Sequence, residues 1–162
     1  MFGFLKKETS VELKAPTSGL FVPLAAVSDE VFASKAVGDG FAVTPAGNAN
    51  QVVSPIDGVV SSIFPTKHAI MLTTKAGVEI LLHLGIDTVE LNGAPFTMLV
   101  TEGAKVQQGT PLVTVDWSQV IAADKETTVM VVSANATFEL ADAVTGEVSP
   151  ATTIGTFKLM TD

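Results

Sequence analysis

Two histidines, His68 and His83, flank what the residue pattern predicts to be one tight β-hairpin, and the chain contains no other histidine. Short apolar, β-branched segments lie on either side of the turn-forming residues 75–77. If Lys75 and Ala76 form a two-residue loop, the two histidines lie directly opposite each other, with Cβ atoms about 4.5–5.5 Å apart. A slip of one residue would put the rings on opposite faces of the sheet. Two imidazoles in apposition can share a metal ion, a phosphoryl group or a proton.

The spacing of the histidines supports a metal site only weakly. A structural zinc site takes four protein ligands, and a catalytic one takes three plus water. Asp87, or Asp39 brought in by the fold, are candidates for the missing ligands, but the chain has neither a His-Glu-x-x-His nor a His-x-His pair. We therefore expect no functional metal and no cofactor, and regard His68 and His83 as candidates for incidental zinc binding alone.

Nucleophilic histidine chemistry is the remaining reading of the pair. Serine–histidine hydrolysis needs a Gly-x-Ser-x-Gly elbow, which the chain lacks. A neutral imidazole nitrogen can accept a phosphoryl group while a second histidine and a hydroxyl group hydrogen-bond to its oxygens. Thr66, two residues before His68, is expected on the same face of the strand. Either histidine taken alone is compatible with a plain structural role, and it is their mirror-related placement about the turn that favours function.

Composition limits the classes of protein that the chain can belong to. Its 162 residues are 47% hydrophobic and 16% charged, which indicates one soluble globular domain without a membrane span. The formal net charge is −8, and all nine basic residues are lysines. Nucleic-acid binding is therefore not expected, whereas a basic protein partner is favoured. The absence of cysteine excludes disulfides and thiolate sites and is compatible with the cytoplasm.

Glycine and proline divide the chain into short segments rich in β-forming residues. This pattern predicts an all-β fold, an antiparallel β-sandwich or barrel of many short strands with one or two short helices. The helix candidates are residues 117–123, with Asp116 as the N-cap, and a single turn at 28–33. We expect a flexible segment at residues 1–10 and a single domain at 11–162.

Two further features of the sequence have open interpretations. Residues 15–20 and 54–59 both contain a Pro-x-x-Gly turn before a strand, which makes them candidates for a duplicated hairpin unit. Residues 1–7 combine apolar side chains with two lysines, so they are either a short membrane-touching helix or a frayed chain end.

Several blocks of the sequence, from about Val11 to Leu159, resemble the glucose-type enzyme IIA of the bacterial sugar phosphotransferase system. The hallmark blocks are Phe64-Pro65-Thr66-Lys67-His68-Ala69-Ile70 and Gly77-Val78-Glu79-Ile80-Leu81-Leu82-His83-Leu84-Gly85-Ile86-Asp87-Thr88-Val89-Glu90-Leu91. Further matching blocks are residues 31–43 and 54–60. Both histidines have the spacing of the family, and its antiparallel β-sandwich agrees with the fold class reached from the segment pattern.

The resemblance implies a phosphoryl relay without a cofactor. It implies that His83 takes phosphate from the histidine phosphocarrier protein HPr and passes it to a cysteine of a sugar-specific IIB domain. It also implies that His68 holds the phosphoryl oxygens and is needed for onward transfer, and that the Thr66 hydroxyl ties the pair into a network. The expected partners are HPr and the IIB domain of a permease, which would be the protein's indirect link to the membrane. Unphosphorylated relatives also inhibit other sugar transporters.

The resemblance further implies residues that contact these partners. Asp39 and Asp87 match acids that flank the site. The candidates for an apolar rim, for which a plain core role is the alternative, are Phe41, Phe64, Leu84 and Ile86. There are departures from the family pattern. Lys67 stands where many relatives have asparagine, and residues 1–7 match the amino-terminal anchor of enteric relatives poorly. Both a free-standing protein and a domain of a fused permease remain open.

Two other protein classes have partial support in the sequence. Residues 100–112 look like the strand–turn repeat of lipoyl and biotinyl carrier domains, but the hairpin that carries the modified lysine is absent. A zinc peptidase of the lysostaphin type shares a related β-fold, but that family needs a His-x-His pair, which this chain lacks.

Overall fold

A computed structural model describes residues 9–142, 144 and 146–160. Short β-strands dominate it because the apolar, β-branched segments are interrupted by glycine and proline every few residues. The strands are β1 (Ser10–Lys14), β2 (Gly19–Pro23), β3 (Asp39–Pro45), β4 (Gln51–Val53), β5 (Gly58–Ile63), β6 (Ala69–Thr73), β7 (Glu79–Ile86), β8 (Phe96–Met98), β9 (Lys105–Val106), β10 (Pro111–Val115), β11 (Glu126–Ser133), β12 (Ala136–Leu140), β13 (Glu147–Val148) and β14 (Thr153–Leu159).

The helices of the described residues are short. They are α1 (Glu30–Ala33), α2 (Trp117–Ala122) and two 3₁₀ turns, Leu24–Ala26 and Thr88–Leu91. Each α-helix begins after an aspartate that caps it: Asp29 accepts hydrogen bonds from the backbone of α1, and Asp116 from that of α2. Both helices lie where the sequence predicted them.

The strands of the described residues pair antiparallel and form three sheets. The large sheet has the order β13-β2-β3-β11-β7-β6-β5-β9, and the small sheets have the orders β1-β14-β12 and β4-β10-β8. Side chains from all three sheets meet in one apolar core, which contains Phe41, Leu84, Leu112 and Phe157. The predicted antiparallel β-sandwich with two short helices is therefore confirmed.

The large sheet has matching halves, as the duplicated-hairpin interpretation requires. Strand β2 pairs with β3 on one side and the short edge strand β13 on the other, and β5 pairs in the same way with β6 and β9. The two Pro-x-x-Gly turns are joined, because Val53 N donates to Pro16 O and Lys14 N donates to Pro55 O. Each half thus repeats one hairpin unit, and β11 and β7 meet between the halves.

A second apolar cluster lies on the outer face of the large sheet. In β11, Val129 and Val131 point into the main core, whereas Met130 and Val132 point into the second cluster. The chain between β2 and β3 covers this outer face and contributes Leu24, Val27 and Phe32 to the cluster. Strand β11 is consequently buried on both faces, which accounts for its continuous apolar run.

The register of the β6–β7 hairpin differs by one residue from the predicted one. Gly77 adopts a left-handed conformation (φ 97°), and its N–H donates to Thr74 O, so the loop has three residues, 75–77. Ala69, not His68, therefore pairs with His83. The prediction that the two histidines lie directly opposite each other was wrong. It assumed a two-residue loop that leaves Gly77 in the strand, whereas Gly77 adopts a positive φ without steric cost and belongs to the loop.

The amino-terminal expectations fall mainly outside the described residues. Residues 1–8, including the segment 1–7 with its two interpretations, are not described. Of the segment 1–10, Thr9 O accepts from Leu159 N, and Ser10 begins β1 opposite Lys158. Among the described helices, none is long and apolar enough to span a membrane.

Candidate functional site

His83 lies near the end of β7, on the face of the sheet that carries the second cluster, since its cross-strand partner is Met130. Its ring is half-buried, and its Nδ1 lies 2.7 Å from the carbonyl oxygen of Gly85. A carbonyl oxygen can only accept, so Nδ1 must carry the proton of the neutral ring. The lone pair therefore resides on Nε2, which is the nitrogen available as a nucleophile.

His68 reaches His83 although the strand register alone would separate them. It precedes β6 and is 7% exposed, and its carbonyl oxygen accepts from Leu84 N. Lys67, in a left-handed conformation (φ 59°), ends the turn before it, so the alternation of faces within the strand does not govern His68. The two ring centroids are 5.2 Å apart with the planes at 77°. The tertiary structure thus brings the pair together.

Thr66 is joined to the pair by a hydrogen bond. Its Oγ1 lies 2.6 Å from His68 Nδ1. The contact does not arise from a shared strand face, as the sequence analysis assumed, because Thr66 lies in the turn between β5 and β6. The hydroxyl can donate or accept, so it can select either tautomer of the His68 ring.

Aromatic rings flank both histidines. Phe64 meets His68 edge-on, with centroids 5.5 Å apart, and Phe32 contacts His83 at 5.0 Å with the planes tilted by 59°. Phe32 comes from α1, far from His83 in the sequence, and the sequence analysis did not single it out. Its sequence signals were its place in a predicted helical turn and in the matching block 31–43, and neither indicated what the helix would cover.

The surroundings keep both imidazoles neutral near neutral pH. Burial lowers the pKa of His83, and this effect outweighs the Gly85 carbonyl and the negative charges of Asp29 and Asp87, which raise it. Burial also lowers the pKa of His68, and the positive charge that His83 acquires on protonation lowers it further. Neutral rings with a free lone pair are what nucleophilic catalysis requires.

The two acids proposed as partner contacts occupy different environments. Asp87 is exposed, in a left-handed conformation (φ 61°) directly after β7, and its charge acts on His83. The Asp39 carboxylate instead accepts from Gly40 N and Phe138 N, both at 2.9 Å, and lies 3.3 Å from Lys35 Nζ. Asp39 thus bonds mainly to its own chain, and it is not among the charges that act on either histidine.

The predicted apolar rim is only partly accessible. Phe41 and Leu84 are completely buried in the main core, so their assignment to the rim was wrong: each points to the inner face of its strand. Ile86 is 6% exposed and packs in the second cluster, whereas Phe64 is 37% exposed. Val31, next to Phe32, and Val89, two residues after Asp87, are exposed apolar residues that the sequence analysis missed.

The described residues contain no group of three or more histidine, cysteine, aspartate or glutamate side chains that could hold a metal ion. Incidental zinc binding by His68 and His83 stays a prediction.

Comparison with known proteins agrees with this site and fold. The profile of the family described as phosphoenolpyruvate-dependent sugar phosphotransferase system, EIIA 1, matches residues 11–138. The chain is 52% identical over 129 residues to the PTS system glucose-specific EIICBA component of Streptococcus pneumoniae, which covers 80% of this chain and 18% of that protein. The chain thus spans less than a fifth of that relative's length.

A solved structure gives the same result for the fold. The glucose permease IIA from Mycoplasma capricolum superposes with a TM-score of 0.84 at 37% identity, covering 96% of this chain and 99% of that one. The resemblance inferred from the sequence is confirmed. Since the family profile covers most of the chain and the solved relative shares its β-sandwich, the chain belongs to the EIIA 1 family of the phosphoenolpyruvate-dependent sugar phosphotransferase system.

Proposed function

We propose that His83 accepts a phosphoryl group from phosphorylated HPr and passes it to a cysteine of a sugar-specific IIB domain, in the cytoplasm and without a cofactor. The observation that carries the proposal is the His83 ring, whose Nδ1 faces the Gly85 carbonyl oxygen at 2.7 Å and whose Nε2 keeps its lone pair. A second histidine ring lies 5.2 Å from it, where it can meet a phosphoryl group on Nε2.

His83 keeps its Nδ1 proton through both transfer steps and returns to the neutral form at the end. In the first step, Nε2 bonds to phosphorus while the phosphorus–nitrogen bond of HPr breaks, and the HPr imidazole keeps the electron pair. Because Nδ1 of His83 retains its proton, the phosphorylated ring is an imidazolium. In the second step, a cysteine thiolate bonds to phosphorus and the bond to Nε2 breaks, which returns a neutral imidazole. The Gly85 carbonyl thus maintains His83 as a good leaving group.

His68 and Thr66 complete the proposed mechanism. If the Thr66 hydroxyl donates to His68 Nδ1 at 2.6 Å, His68 Nε2 carries the proton. That N–H then donates to the oxygens of the phosphoryl group on His83, and His68 can take up a proton and add positive charge as negative charge shifts onto those oxygens during transfer. His68 therefore stabilises the phosphoryl group during its transfer and does not itself become phosphorylated.

The surface around the pair supports docking of protein partners. Phe64, whose ring contacts His68, and Val31, which is next to Phe32 in the sequence, are exposed apolar side chains, and the negative charge of Asp87 acts on His83. Desolvated apolar contacts supply affinity, and an acid attracts the basic residues of a partner. Both relatives are named for glucose. We propose the same sugar as the one taken up by the permease partner of this chain.

The labelling experiment uses the chain with phosphoenolpyruvate, enzyme I and HPr, and locates phosphate by mass spectrometry under alkaline conditions. We expect one phosphoryl group on His83 and none after His83→Ala. Glu79→Ala is the matched control, because Glu79 is an exposed residue on the same strand. Labelling of His83→Ala at the parent rate would refute the acceptor assignment.

A second measurement separates acceptance from onward transfer. His68→Gln retains an amide that can hydrogen-bond to the phosphoryl oxygens but cannot change its protonation state. We expect His68→Gln to accept phosphate and to pass it to a IIB domain at least about 10²-fold more slowly in a single turnover. Unchanged onward transfer would mean that the two histidines are not coupled.

A further inference from the structure

Phe32 contacts His83, but the proposed relay mechanism gives it no role. Its ring centroid lies 5.0 Å from that of His83, and its side chain is 8% exposed. The other ring against His83 is that of His68, at 5.2 Å. His83 is therefore contacted by two rings, one from the β5–β6 turn and one from α1.

The short helix α1 is built so that Phe32 keeps this position. A helix of four residues is not stable in isolation. At its start, Asp29 Oδ1 accepts from Val31 N at 2.9 Å and from Phe32 N at 3.3 Å. At its end, Lys35 adopts a left-handed conformation (φ 64°), and Ala36 N donates to Val31 O at 3.2 Å. Both ends of the helix are thus closed, and the Phe32 N–H is itself one of the capped groups.

The second apolar cluster fixes the other side of Phe32. Phe32 belongs to this cluster together with Met130 and Ile86, which lie on β11 and β7. Met130 is also the cross-strand neighbour of His83. The phenyl ring is therefore anchored independently of His83, which is the condition for one side chain to orient another.

We propose that Phe32 is a positioning residue: its ring holds the His83 imidazole with Nδ1–H on the Gly85 carbonyl, and it excludes water from one side of the phosphorylated ring. The orientation part concerns the unphosphorylated protein, whereas the part about water rests on the proposed phosphorylation of His83. In hydrolysis, water oxygen bonds to phosphorus, the phosphorus–Nε2 bond breaks, the ring keeps the electron pair and phosphate keeps the water protons. A ring that excludes water slows this loss.

The test compares three variants of the full chain. Phe32→Leu keeps an apolar side chain and removes the aromatic ring, and Phe32→Tyr restores the ring. Val27→Ala is the control, because Val27 belongs to the same cluster and its side chain has no aromatic ring to place against His83. Phe32→Met replaces the leucine variant if that variant does not fold.

Two measurements are made on each variant. Nitrogen-15 NMR of the imidazoles reports which His83 nitrogen carries the proton. Potassium phosphoramidate, a small phosphoryl donor, replaces HPr, and the half-life of the phosphoryl group on His83 is followed by mass spectrometry.

We expect Phe32→Leu to lower the share of the Nδ1–H tautomer and to shorten the phosphoryl half-life about two- to tenfold, the range that an aromatic contact supports. Phe32→Tyr should restore both values, and Val27→Ala should change neither. Parent-like spectra and half-life in Phe32→Leu, or an equal effect of Val27→Ala, would overturn the positioning role. If HPr and phosphoramidate both left the parent His83 unlabelled, the proposed function would fail, and the spectra would still decide the orientation.

Discussion

In water, a neutral imidazole can carry its proton on either nitrogen. The neighbours of His83 decide which of its two nitrogens carries the proton. Gly85 O, 2.7 Å from Nδ1, retains the proton there, and burial lowers the pKa so that Nε2 stays unprotonated. At His68 the same choice depends on the Thr66 hydroxyl, which can donate or accept. A backbone carbonyl thus leaves His83 Nε2 as the nucleophile, and a hydroxyl group can make His68 Nε2–H the hydrogen-bond donor. Neither choice needs a charged partner.

The lowered pKa values of both histidines predict how stability depends on pH. Because the unfolded histidines have a pKa of about 6.5, the unfolded chain binds more protons than the folded one below that pH. The free energy of unfolding should be fully retained above pH 6.5 and should fall as the pH drops towards the folded pKa values. The slope is at most about 1.4 kcal/mol per pH unit for each histidine.

Urea unfolding between pH 7.5 and 5.5 measures this slope. The variant with both His68→Gln and His83→Gln should have a nearly flat profile in the same window. A double variant with the parent's slope would show that the acid sensitivity originates in other groups.

At the scale of single strands, the end of β7 departs from regular geometry where the site requires it. Gly85 has φ 84°, and a Cβ there would lie 2.6 Å from Thr88 Cγ2 and 2.9 Å from Glu126 O. The register between β7 and β11 shifts beside it, between Glu126 and Val129. This irregularity aims the Gly85 carbonyl at the His83 ring.

Gly85→Ala should therefore destabilise the protein and weaken phosphate acceptance. Gly103→Ala is a matched control, because Gly103 also has a left-handed φ (90°) and has open space around it. Both variants carry a conformational cost of roughly 1–2 kcal/mol, and Gly85→Ala adds overpacking of roughly 1–3 kcal/mol. Equal unfolding free energies for the two variants would contradict the close approach at Gly85.

The different burial of Leu84 and Phe64 predicts that the two side chains have separable effects on stability and on partner binding. Leu84 is completely buried, so Leu84→Ala should lower the free energy of unfolding by about 2–5 kcal/mol. Phe64, which is 37% exposed, should affect stability by less than about 1 kcal/mol on truncation, but Phe64→Ala should weaken HPr binding by more than about 1 kcal/mol. Urea unfolding measures the change in stability, and calorimetric titration measures the change in HPr binding. If Leu84→Ala weakened HPr binding and Phe64→Ala lowered stability instead, Leu84 would return to the docking surface.

At the scale of the whole molecule, the net charge of −8 should accelerate association with a basic partner. The Debye length falls from about 30 Å at 0.01 M to about 8 Å at 0.15 M ionic strength, so the association rate with HPr should fall as salt is added. The charges of Asp29 and Asp87 both act on His83, and Asp87 is the more exposed of the two. Asp87→Asn should slow association and flatten its salt dependence, while dissociation changes little.

Asp39→Asn is the charge-matched control for this prediction. It removes one negative charge that does not act on either histidine, so the salt dependence of association should stay close to that of the parent. It should instead cost roughly 1–3 kcal/mol of stability, because the amide offers one acceptor oxygen to Gly40 N and Phe138 N. Stopped-flow measurements over a salt series distinguish the two variants, and a flatter salt slope for Asp39→Asn would return that residue to the docking surface.

The sequence by itself determined the fold class, both short helices and the identity of the candidate histidines. These features depend on local chemistry: β-branched segments between glycines and prolines, aspartates at the helix starts, and a pair of histidines about one turn. The family resemblance rested on the same contiguous residues, and it is confirmed by the match over residues 11–138.

The tertiary structure alone decided the register and the neighbours of the site. The register depended on whether Gly77 enters the loop in a left-handed conformation, a choice among turns of similar energy. Phe41 and Leu84 could not be told from surface residues, because the side of a strand that is buried depends on what packs against it. Phe32 and Asp29 reach His83 only through the packing of α1 on the large sheet, so no spacing in the sequence connects them to it.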